Sequence, residues 1–319
     1  MRIVIPKETH PGESRVPITP DIAKKLCRMG ATLVIESGMG VGAGFADTEY
    51  TEVGATVSSD RSELISHADI LLRIRKPSLD EVKLMRRGCI HISFLDPFNE
   101  HELVTALKEQ GVTAISMEMI PRTTRSQKMD ALSSQANLAG YVMVMLAATH
   151  LPRIFPMMMT PAGTLKPARV FVIGAGVAGL QAIATAKRLG AKVMAFDTRP
   201  VTAEQVTSLG AKFLEIDLGE TGETPGGYAK ELTPEQVEKQ RQAQKAVIAE
   251  SDVVITTAQV FGRKPPVLVT RDMVEGMAPG SVIVDMAAET GGNVEGSVPN
   301  EVVEWAGVTI IGKGNLAGE

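Results

Sequence analysis

One glycine-rich turn constrains the fold of this chain more than any other feature of the sequence. The apolar run Val170–Ile173 predicts a strand, residues 174–179 read GAGVAG, and helical spacing then continues to Leu189. A second predicted strand ends at Asp197, 18 residues beyond Gly179. A strand, a glycine turn, a helix and a trailing acid in this order are typical of a dinucleotide-binding unit. The alternative is a glycine-rich turn that happens to precede a structural acid.

Each residue of the turn has a physical role in the dinucleotide prediction. Gly174 allows the tight turn, Gly176 lets the backbone approach a pyrophosphate, and Gly179 lets the helix pack closely on the strand. The helix N-terminus offers N–H groups and a partial positive charge to the phosphates. Asp197 would accept hydrogen bonds from the adenine ribose and repel a 2′-phosphate, which predicts NAD(H) rather than NADP(H). Arg199 weakens that choice, because a nearby arginine can accommodate a 2′-phosphate.

Short apolar runs alternate with amphipathic segments along the whole chain. The predicted strands are Arg2–Ile5, Thr32–Glu36, Ile70–Ile74, Cys89–Leu95, Val112–Met117, Val170–Ile173, Lys192–Phe196, Lys212–Glu215, Val253–Thr256, Val282–Asp285 and Val308–Ile311. The predicted helices include one that opens at Thr19-Pro20, then Leu79–Arg86, Glu100–Glu109, Val177–Leu189, Thr202–Leu209, Pro234–Glu250 and Arg271–Gly276. Such alternation predicts parallel sheets covered by helices on both faces. We therefore expect an α/β protein with two Rossmann-like, doubly wound parallel-sheet domains and a cleft between them.

A long apolar helix separates the two series. It runs from about Ala131 to Leu151, and the Pro- and Gly-rich stretch at 152–163 that follows it predicts a boundary or a protruding hairpin. We expect a first domain at 1–135, a linking helix and hairpin at 136–168, and a dinucleotide-binding domain at 169–319.

Composition excludes several classes of protein. The chain has 319 residues and a net charge of −4, which argues against a nucleic-acid partner because phosphate neutralisation needs a basic surface. Its two cysteines, Cys27 and Cys89, rule out a disulfide framework, and its five histidines lack metal-ligand spacing. Apolar stretches such as Tyr141–Ala148 fall short of the roughly 20 residues that span a bilayer. We expect an intracellular protein without a metal site or a membrane span.

Two further segments contain candidate ligand-binding residues. The polar stretch 121–130 and the adjoining Ser133 follow the strand Val112–Met117, where loops of parallel sheets bind ligands, although a solvated loop with a capped helix is equally compatible. Segment 217–232 contains four glycines before or beside Tyr228, which suggests either a mobile lid or a flexible connector.

Several stretches together resemble the NAD(H)-binding component of proton-translocating transhydrogenases. They are GAGVAGLQAIATAKRLGA with AFDTRP, PRTTRSQKMDALSSQANLAGY, FPMMMT and GGYAKE. The amino end, IPKETHPGESRVPITP, is also similar to the wider group that includes alanine dehydrogenase. The resemblance covers essentially the whole chain, although RTTRSQK departs from the commoner RISRAQS.

The resemblance implies roles for individual residues. The loop at the nicotinamide end of NAD(H) would comprise Arg122, Gln127, Asp130 and Ser133, with Thr123 and Thr124 beside it. The pyrophosphate and adenosine end would be held by Gly176, Val177, Asp197, Thr198 and Arg199. Gly227 and Tyr228 would belong to the mobile loop, and Gln240 would lie near the cofactor. Gln259 stands where the family usually has an apolar residue near the adenine.

The resemblance also implies partners. The second nucleotide, NADP(H), would bind a separate component joined to a membrane-spanning proton channel. This chain would lie on the cytoplasmic side, peripheral to the inner (plasma) membrane, and FPMMMT would help to form a homodimer. Because family members continue with further helices, we expect the chain to be truncated at its C-terminus.

The chemistry favours a transhydrogenase over an amino-acid dehydrogenase. Oxidising an amino acid needs a general base, and the resemblance places the lysine and histidine of alanine dehydrogenases on strands that here read Leu71–Arg75 and His91–Leu95. Arginine stays protonated, and His91 falls at the start of its strand. Hydride transfer between two nicotinamides needs alignment and no proton transfer, which predicts a site rich in hydrogen-bonding side chains and without a base. Within the polar loop, we expect Gln127 to lie nearest the reaction. An alanine-type dehydrogenase and a non-catalytic NAD(H)-binding protein remain the alternatives.

Overall fold

The computed structural model describes residues 1–219, 221–222, 230–259 and 262–319. They divide into two compact units, Met1–Leu132 and Ser133–Ala317. Gly227 and Tyr228, which we expected in a mobile loop, lie outside the described residues.

The first unit is built around a six-stranded sheet. Its elements are β1 (Arg2–Ile5), α1 (Pro20–Arg28), β2 (Thr32–Glu36), α2 (Asp47–Thr51), β3 (Thr56–Ser58), α3 (Arg61–Ser66), β4 (Ile70–Leu72), α4 (Leu79–Leu84), β5 (Ile90–Ser93), α5 (His101–Gln110) and β6 (Thr113–Ser116). The strand order is β3-β2-β1-β4-β5-β6, and every pair is parallel. This is the doubly wound order expected of a Rossmann-like sheet.

The second unit contains a seven-stranded sheet and a separate hairpin. After α6 (Ala131–His150), its elements are β7 (Met158–Thr160), β8 (Gly163–Leu165), β9 (Arg169–Ile173), α7 (Val177–Arg188), β10 (Lys192–Phe196), α8 (Thr202–Ser208), β11 (Lys212–Phe213), α9 (Pro234–Ala249), β12 (Val253–Thr256), α10 (Arg271–Glu275), β13 (Val282–Asp285), β14 (Val302–Trp305) and β15 (Val308–Ile311). The sheet order is β11-β10-β9-β12-β13-β15-β14, and β7 pairs with β8 in an antiparallel hairpin.

One edge strand departs from the parallel arrangement that the sequence predicts. Strand β14 is antiparallel to β15, while the other pairs in this sheet are parallel. Only Ala306 and Gly307 connect the two strands, with φ of 52° and 77°. A two-residue connection with positive φ at both positions makes a hairpin, whereas parallel neighbours need a crossover of a dozen or more residues.

Both sheets are covered on two faces, as their sequences predict. In β9, Val170 and Val172 join one apolar cluster while Phe171 and Ile173 join another, because successive side chains of a strand point to opposite faces. All residues of β12 and β13 are buried. The short elements α2, β3 and α3 were not predicted, since three to six residues carry too little periodicity.

Helix α6 corrects the expectation that every apolar stretch is too short to span a bilayer. It has 20 residues, and an 18-residue window of it has a mean hydropathy of 1.2 with 28% of that window buried, so length and composition alone would allow a span. It is the one such helix among the residues that the structure describes. A single helix of this kind is weak evidence, because core helices of soluble proteins pass the same test.

Candidate functional site

The glycine turn lies where the strand order of the second sheet reverses. Strand β9 lies between β10 and β12, so the turn after β9 and Thr257 after β12 flank the switch point. Open α/β sheets bind ligands at the carboxyl ends of their strands at this point. The Thr257 hydroxyl donates a 3.0 Å hydrogen bond to the Gly174 carbonyl, which joins the two loops.

The three glycines occupy positions with different steric demands. Gly174 has φ of +101°, and a Cβ there would lie 2.5 Å from the Thr257 hydroxyl oxygen. A Cβ on Gly179 would overlap the Gly174 carbonyl oxygen. At Gly176 the nearest described atom to an added Cβ is an Arg199 guanidinium nitrogen at 3.9 Å. Gly174 and Gly179 are therefore required by the local fold, whereas the space in front of Gly176 is open among the described residues.

Helix α7 presents its N-terminus to that open space. It begins at Val177, which is 38% exposed, and its N-cap residue is Gly176, which has no side chain to cap the first turn. The first N–H groups of a helix have no intrahelical acceptor, and the helix dipole places partial positive charge beside them. Open space, N–H donors and positive potential together form a cradle that fits a phosphate group.

Asp197 and Arg199 lie beside the turn and form a fork-like ion pair. The Asp197 carboxylate accepts hydrogen bonds from the Ala175 N–H at 2.7 Å, the Arg199 N–H at 2.8 Å, and the Arg199 Nε and Nη2 at 2.9 and 2.8 Å. Asp197 is buried and Arg199 is half-buried. Thr198 between them is also half-buried. The structure thus brings together the turn, the acid and the arginine that the sequence predicts as neighbours.

A buried network that sequence reasoning missed holds the neighbouring loops. The Asp285 carboxylate accepts from the backbone N–H groups of Ala287, Asn293 and Val294 and from the Thr256 hydroxyl. The Asn293 amide donates to the carbonyls of Ala258 and Pro266 and accepts from the Ala258 N–H.

This network fixes the backbone that follows β12 and β13. An acid that ends a wholly apolar strand, as Asp285 does, is the sequence signal that would have pointed to it.

The two glutamines predicted near the cofactor have different surroundings. Gln259 is exposed, and its amide donates to the Met286 carbonyl at 3.0 Å. Gln240 is buried on α9, one turn before Gln244. Gln244 is fully buried, and neither its Oε1 nor its Nε2 has a hydrogen-bond partner among the described residues.

The polar loop of the first unit is largely exposed. Arg122 Nε lies 3.5 Å from Asp130 Oδ2, and the Thr123 hydroxyl donates to the Ser126 hydroxyl at 3.2 Å. Thr124 is exposed, as is Gln127, which begins a short 3₁₀ turn. Ser133, assigned to the second unit, lies in the first turn of α6. The structure therefore brings Arg122 and Asp130 together and leaves the Gln127 side chain accessible.

Three arginines of the first unit form ion pairs with buried or half-buried glutamates. Arg15 and Arg75 both contact Glu13, and Arg73 contacts Glu81. Burial raises the pKa of Glu13, but the hydrogen bonds and charge of Arg15, with the hydrogen bond from Arg75, outweigh it and lower that pKa to about 2. Arg15 thus has a structural ion pair that would compete with a substrate carboxylate.

The buried position of His91 prevents it from acting as a general base on a bound substrate. It is fully buried on β5, and its Nε2 lies 3.0 Å from the Ser93 hydroxyl. Burial, and then the positive charge of Arg73, lower its pKa to about 3, although Glu81 acts in the opposite direction. A base of this strength, shielded from solvent, is poorly suited to proton abstraction near pH 7.

A cavity of about 480 Å³ in the first unit belongs to the same ionic region. Four of its lining side chains are cationic, namely Arg61, Arg73, Arg75 and Lys76. Each of these has an ion pair to a glutamate. Within the described residues, no group of three or more His, Cys, Asp or Glu side chains is arranged to hold a metal ion.

Two Rossmann-type units, the second with a glycine turn, an open helix N-terminus and a trailing acid, define an α/β protein of the dinucleotide-binding class. The chain belongs to the alanine dehydrogenase/PNT family: residues 4–139 match its N-terminal domain and residues 143–319 its C-terminal domain. The family resemblance and the predicted α/β fold with two Rossmann-like sheets are confirmed.

This chain is similar both to transhydrogenases and to an alanine dehydrogenase. It is 48% identical over 323 residues to the first part of NAD(P) transhydrogenase subunit alpha from Rhodospirillum rubrum, covering 99% of this chain and 84% of the relative. The transhydrogenase structure from Sinorhizobium meliloti superposes with a TM-score of 0.89 at 45% identity, covering 100% of this chain and 88% of that one. An L-alanine dehydrogenase structure gives 0.82 at 29% identity, with coverage of 100% and 84%.

Proposed function

We propose that this chain is the NAD(H)-binding component of a proton-translocating transhydrogenase. It would pass a hydride between NAD(H) bound to its second unit and NADP(H) bound to a partner. The observation that carries the proposal is the state of the first unit: Arg73 and Arg75 are ion-paired on the segment where an alanine dehydrogenase needs a lysine, and His91 is buried. The similarity to transhydrogenase alpha subunits supports the same choice.

The second unit has groups that fit both ends of the adenosine diphosphate half. The α7 N-terminus and the open space at Gly176 would receive the pyrophosphate, with Val177 and Thr198 beside it. Asp197 would accept hydrogen bonds from the ribose hydroxyls and repel a 2′-phosphate, which favours NAD(H) as the resident cofactor. We assign Gln259 to the adenine region, Gln240 to the neighbourhood of the cofactor, and Gly227 and Tyr228 to a covering loop.

We assign the polar segment 122–133 to the nicotinamide half of NAD(H). When bound, NAD(H) supplies the nicotinamide C4 that gives or accepts the hydride. Arg122, Thr123, Thr124, Asp130 and Ser133 would orient the cofactor, and Gln127 would be the positioning residue nearest the second ring. A glutamine amide donates and accepts hydrogen bonds without titrating, which suits a step that moves a hydride and no proton.

The proposal requires a partner that holds NADP(H), because one complete glycine turn with a trailing acid occurs in this sequence. Proton translocation would reside in a membrane-spanning component, with this chain peripheral to the cytoplasmic face of the membrane. We also propose a homodimer. The exposed methionines Met157, Met158 and Met159, 63%, 46% and 84% exposed, form an apolar surface that a second copy would cover.

The direct test is transfer between two proteins. The purified chain is mixed with a transhydrogenase NADP(H)-binding domain, NADPH and an NAD⁺ analogue whose reduced form has a distinct absorbance. We expect reduction of the analogue only when both proteins are present. Binding of both nucleotides to their proteins without any transfer would instead indicate a non-catalytic NAD(H)-binding protein.

A second assay separates the dehydrogenase alternative. The chain alone is incubated with NAD⁺ and L-alanine across a range of pH. We expect NADH to form no faster than in the absence of protein, because the described first unit offers no accessible base on β4 or β5. Alanine-dependent NADH production would replace the transhydrogenase proposal with an alanine-type dehydrogenase.

A further inference from the structure

The number of hydrogen bonds that the Asp197 carboxylate can accept limits what else it can bind. An ionised carboxylate has about four acceptor positions. Here Oδ1 accepts from the Arg199 N–H and Nε, and Oδ2 accepts from the Ala175 N–H and the Arg199 Nη2. All four positions are therefore used by protein donors, two of them by the Arg199 guanidinium.

Ribose hydroxyls and the Arg199 guanidinium must compete for this carboxylate. The two backbone donors, on Ala175 and Arg199, are fixed by the turn and by the end of β10. The guanidinium is on a rotatable side chain, so its two bonds are the ones that hydroxyl groups can replace. An arginine that gives up a carboxylate contact in a partly buried place gains from a nearby anion, because burial deprives the charge of much of its hydration.

A candidate position for that anion is the glycine turn itself. The guanidinium already lies beside Gly176, since its Nη2 would be 3.9 Å from a Cβ on that residue. Gly176 caps α7, where the helix N-terminus favours a phosphate. Arginine binds phosphate in the same two-pronged geometry that it uses with a carboxylate.

We propose that the adenosine half of this site takes its nucleotide by exchange: the ribose hydroxyls replace the Arg199 guanidinium on Asp197, and the guanidinium moves to a nucleotide phosphate. This inference rests on the proposed NAD(H) role of the second unit. The exchange makes Arg199 a specificity-determining residue. A ligand with a ribose and no phosphate would displace the guanidinium from Asp197 and offer it no phosphate in return.

The exchange predicts opposite effects on two ligands. Adenosine has the hydroxyls alone, and ADP has the hydroxyls and two phosphates. In Arg199→Ala we expect adenosine to bind about tenfold more tightly, because Asp197 is released, and ADP to bind about tenfold more weakly, because a charge-assisted contact is lost. Affinities are measured by calorimetry or by competition at about 0.15 M salt, with folding checked by circular dichroism.

The control is Arg188→Ala, which removes an exposed arginine from the opposite end of α7. It should change neither affinity by more than about twofold, since exposed charges contribute little. If Arg199→Ala shifts both ligands in the same direction, or shifts neither, the exchange is wrong.

A wild-type experiment keeps the proposal testable if the variant fails to fold. In a crystal structure of the unaltered chain with ADP, we expect the Arg199 guanidinium on a phosphate and the ribose on Asp197. Retention of the Asp197–Arg199 fork with ADP in place would overturn the exchange. Failure of the wild-type chain to bind ADP and NADH at all would instead count against the proposed function.

Discussion

Gly179 lies directly against Gly174, so that a Cβ on Gly179 would overlap the Gly174 carbonyl oxygen. The contact joins the first turn of α7 to the end of β9. It explains why a small residue is needed at a helical position that alanine would otherwise favour. The same turn contains Gly176, whose added Cβ would meet no described atom closer than 3.9 Å.

These two glycines provide a matched pair of variants. Gly179→Ala should lower the free energy of unfolding by about 3 kcal/mol, because backbone must move to remove the overlap. Gly176→Ala should lower it by no more than about 1 kcal/mol, the cost of a poorer N-cap, and yet weaken NADH binding about tenfold or more, because the methyl group enters the phosphate cradle. Urea denaturation and calorimetry measure the two effects. Equal stability losses, or unchanged NADH affinity in Gly176→Ala, would contradict the assignment.

Gln127→Asn tests the positioning role in hydride transfer. The asparagine side chain keeps the same amide donors and acceptor but is one methylene shorter, so the amide lies closer to the backbone. We expect the rate of transfer to NADP(H) on the partner to fall about tenfold to a hundredfold, with NADH affinity largely kept, since alignment dominates this step. The exposed Gln205 on α8 is not part of the loop, and Gln205→Asn should leave both quantities unchanged. Lost NADH binding with an unchanged turnover would reverse the assignment of Gln127.

His91 predicts a pH dependence of stability in the acidic range. Its folded pKa is about 3 against an ordinary value of 6.5, so the unfolded chain binds the extra proton between these values. The free energy of unfolding is therefore not reduced by His91 above about pH 6.5, and it decreases as the pH falls from there toward 3, because the unfolded chain gains a proton that the folded chain does not. His91→Phe, which cannot titrate, should flatten the dependence of unfolding free energy between about pH 6.5 and about pH 4.5.

The control for that measurement is His101→Gln, which changes an exposed histidine and retains His91. Urea titrations at several pH values give the slopes. An unchanged slope in His91→Phe would show that the buried ring does not govern acid stability.

Gln244 offers a stabilising substitution. Its side-chain amide is fully buried, and both polar atoms are unpartnered among the described residues. Gln244→Met keeps the length of the side chain and removes the desolvated amide, so the free energy of unfolding should rise by about 1 to 2 kcal/mol. Gln242→Met, on the exposed face of the same helix, should change it by no more than about 0.5 kcal/mol. A destabilised Gln244→Met would mean that the amide is satisfied by bound water or ligand.

Much of the secondary structure follows from local pattern. Strands Val253–Thr256 and Val282–Asp285 have the predicted bounds because each consists of three apolar residues and a closing polar residue, with another polar residue just before it. Predicted strands that ran into loops were too long: Ile70–Ile74 ends at Leu72, and the Ile74 N–H beyond it donates to the Glu8 carboxylate. An apolar pattern persists past the last paired residue, whereas ladder hydrogen bonds depend on the neighbouring strand.

By itself, the sequence determined the alternating strands and helices, the glycine turn and its trailing acid, because each depends on residues close together in the chain. Only the tertiary structure decided that β14 runs antiparallel, that Asp285 and Asn293 tie two loops together, and that Arg199 occupies the carboxylate of Asp197. Those features depend on which groups meet across the fold and on how many hydrogen bonds each can accept. Buried polar groups must find partners wherever the fold places them, and a local pattern does not record those partners.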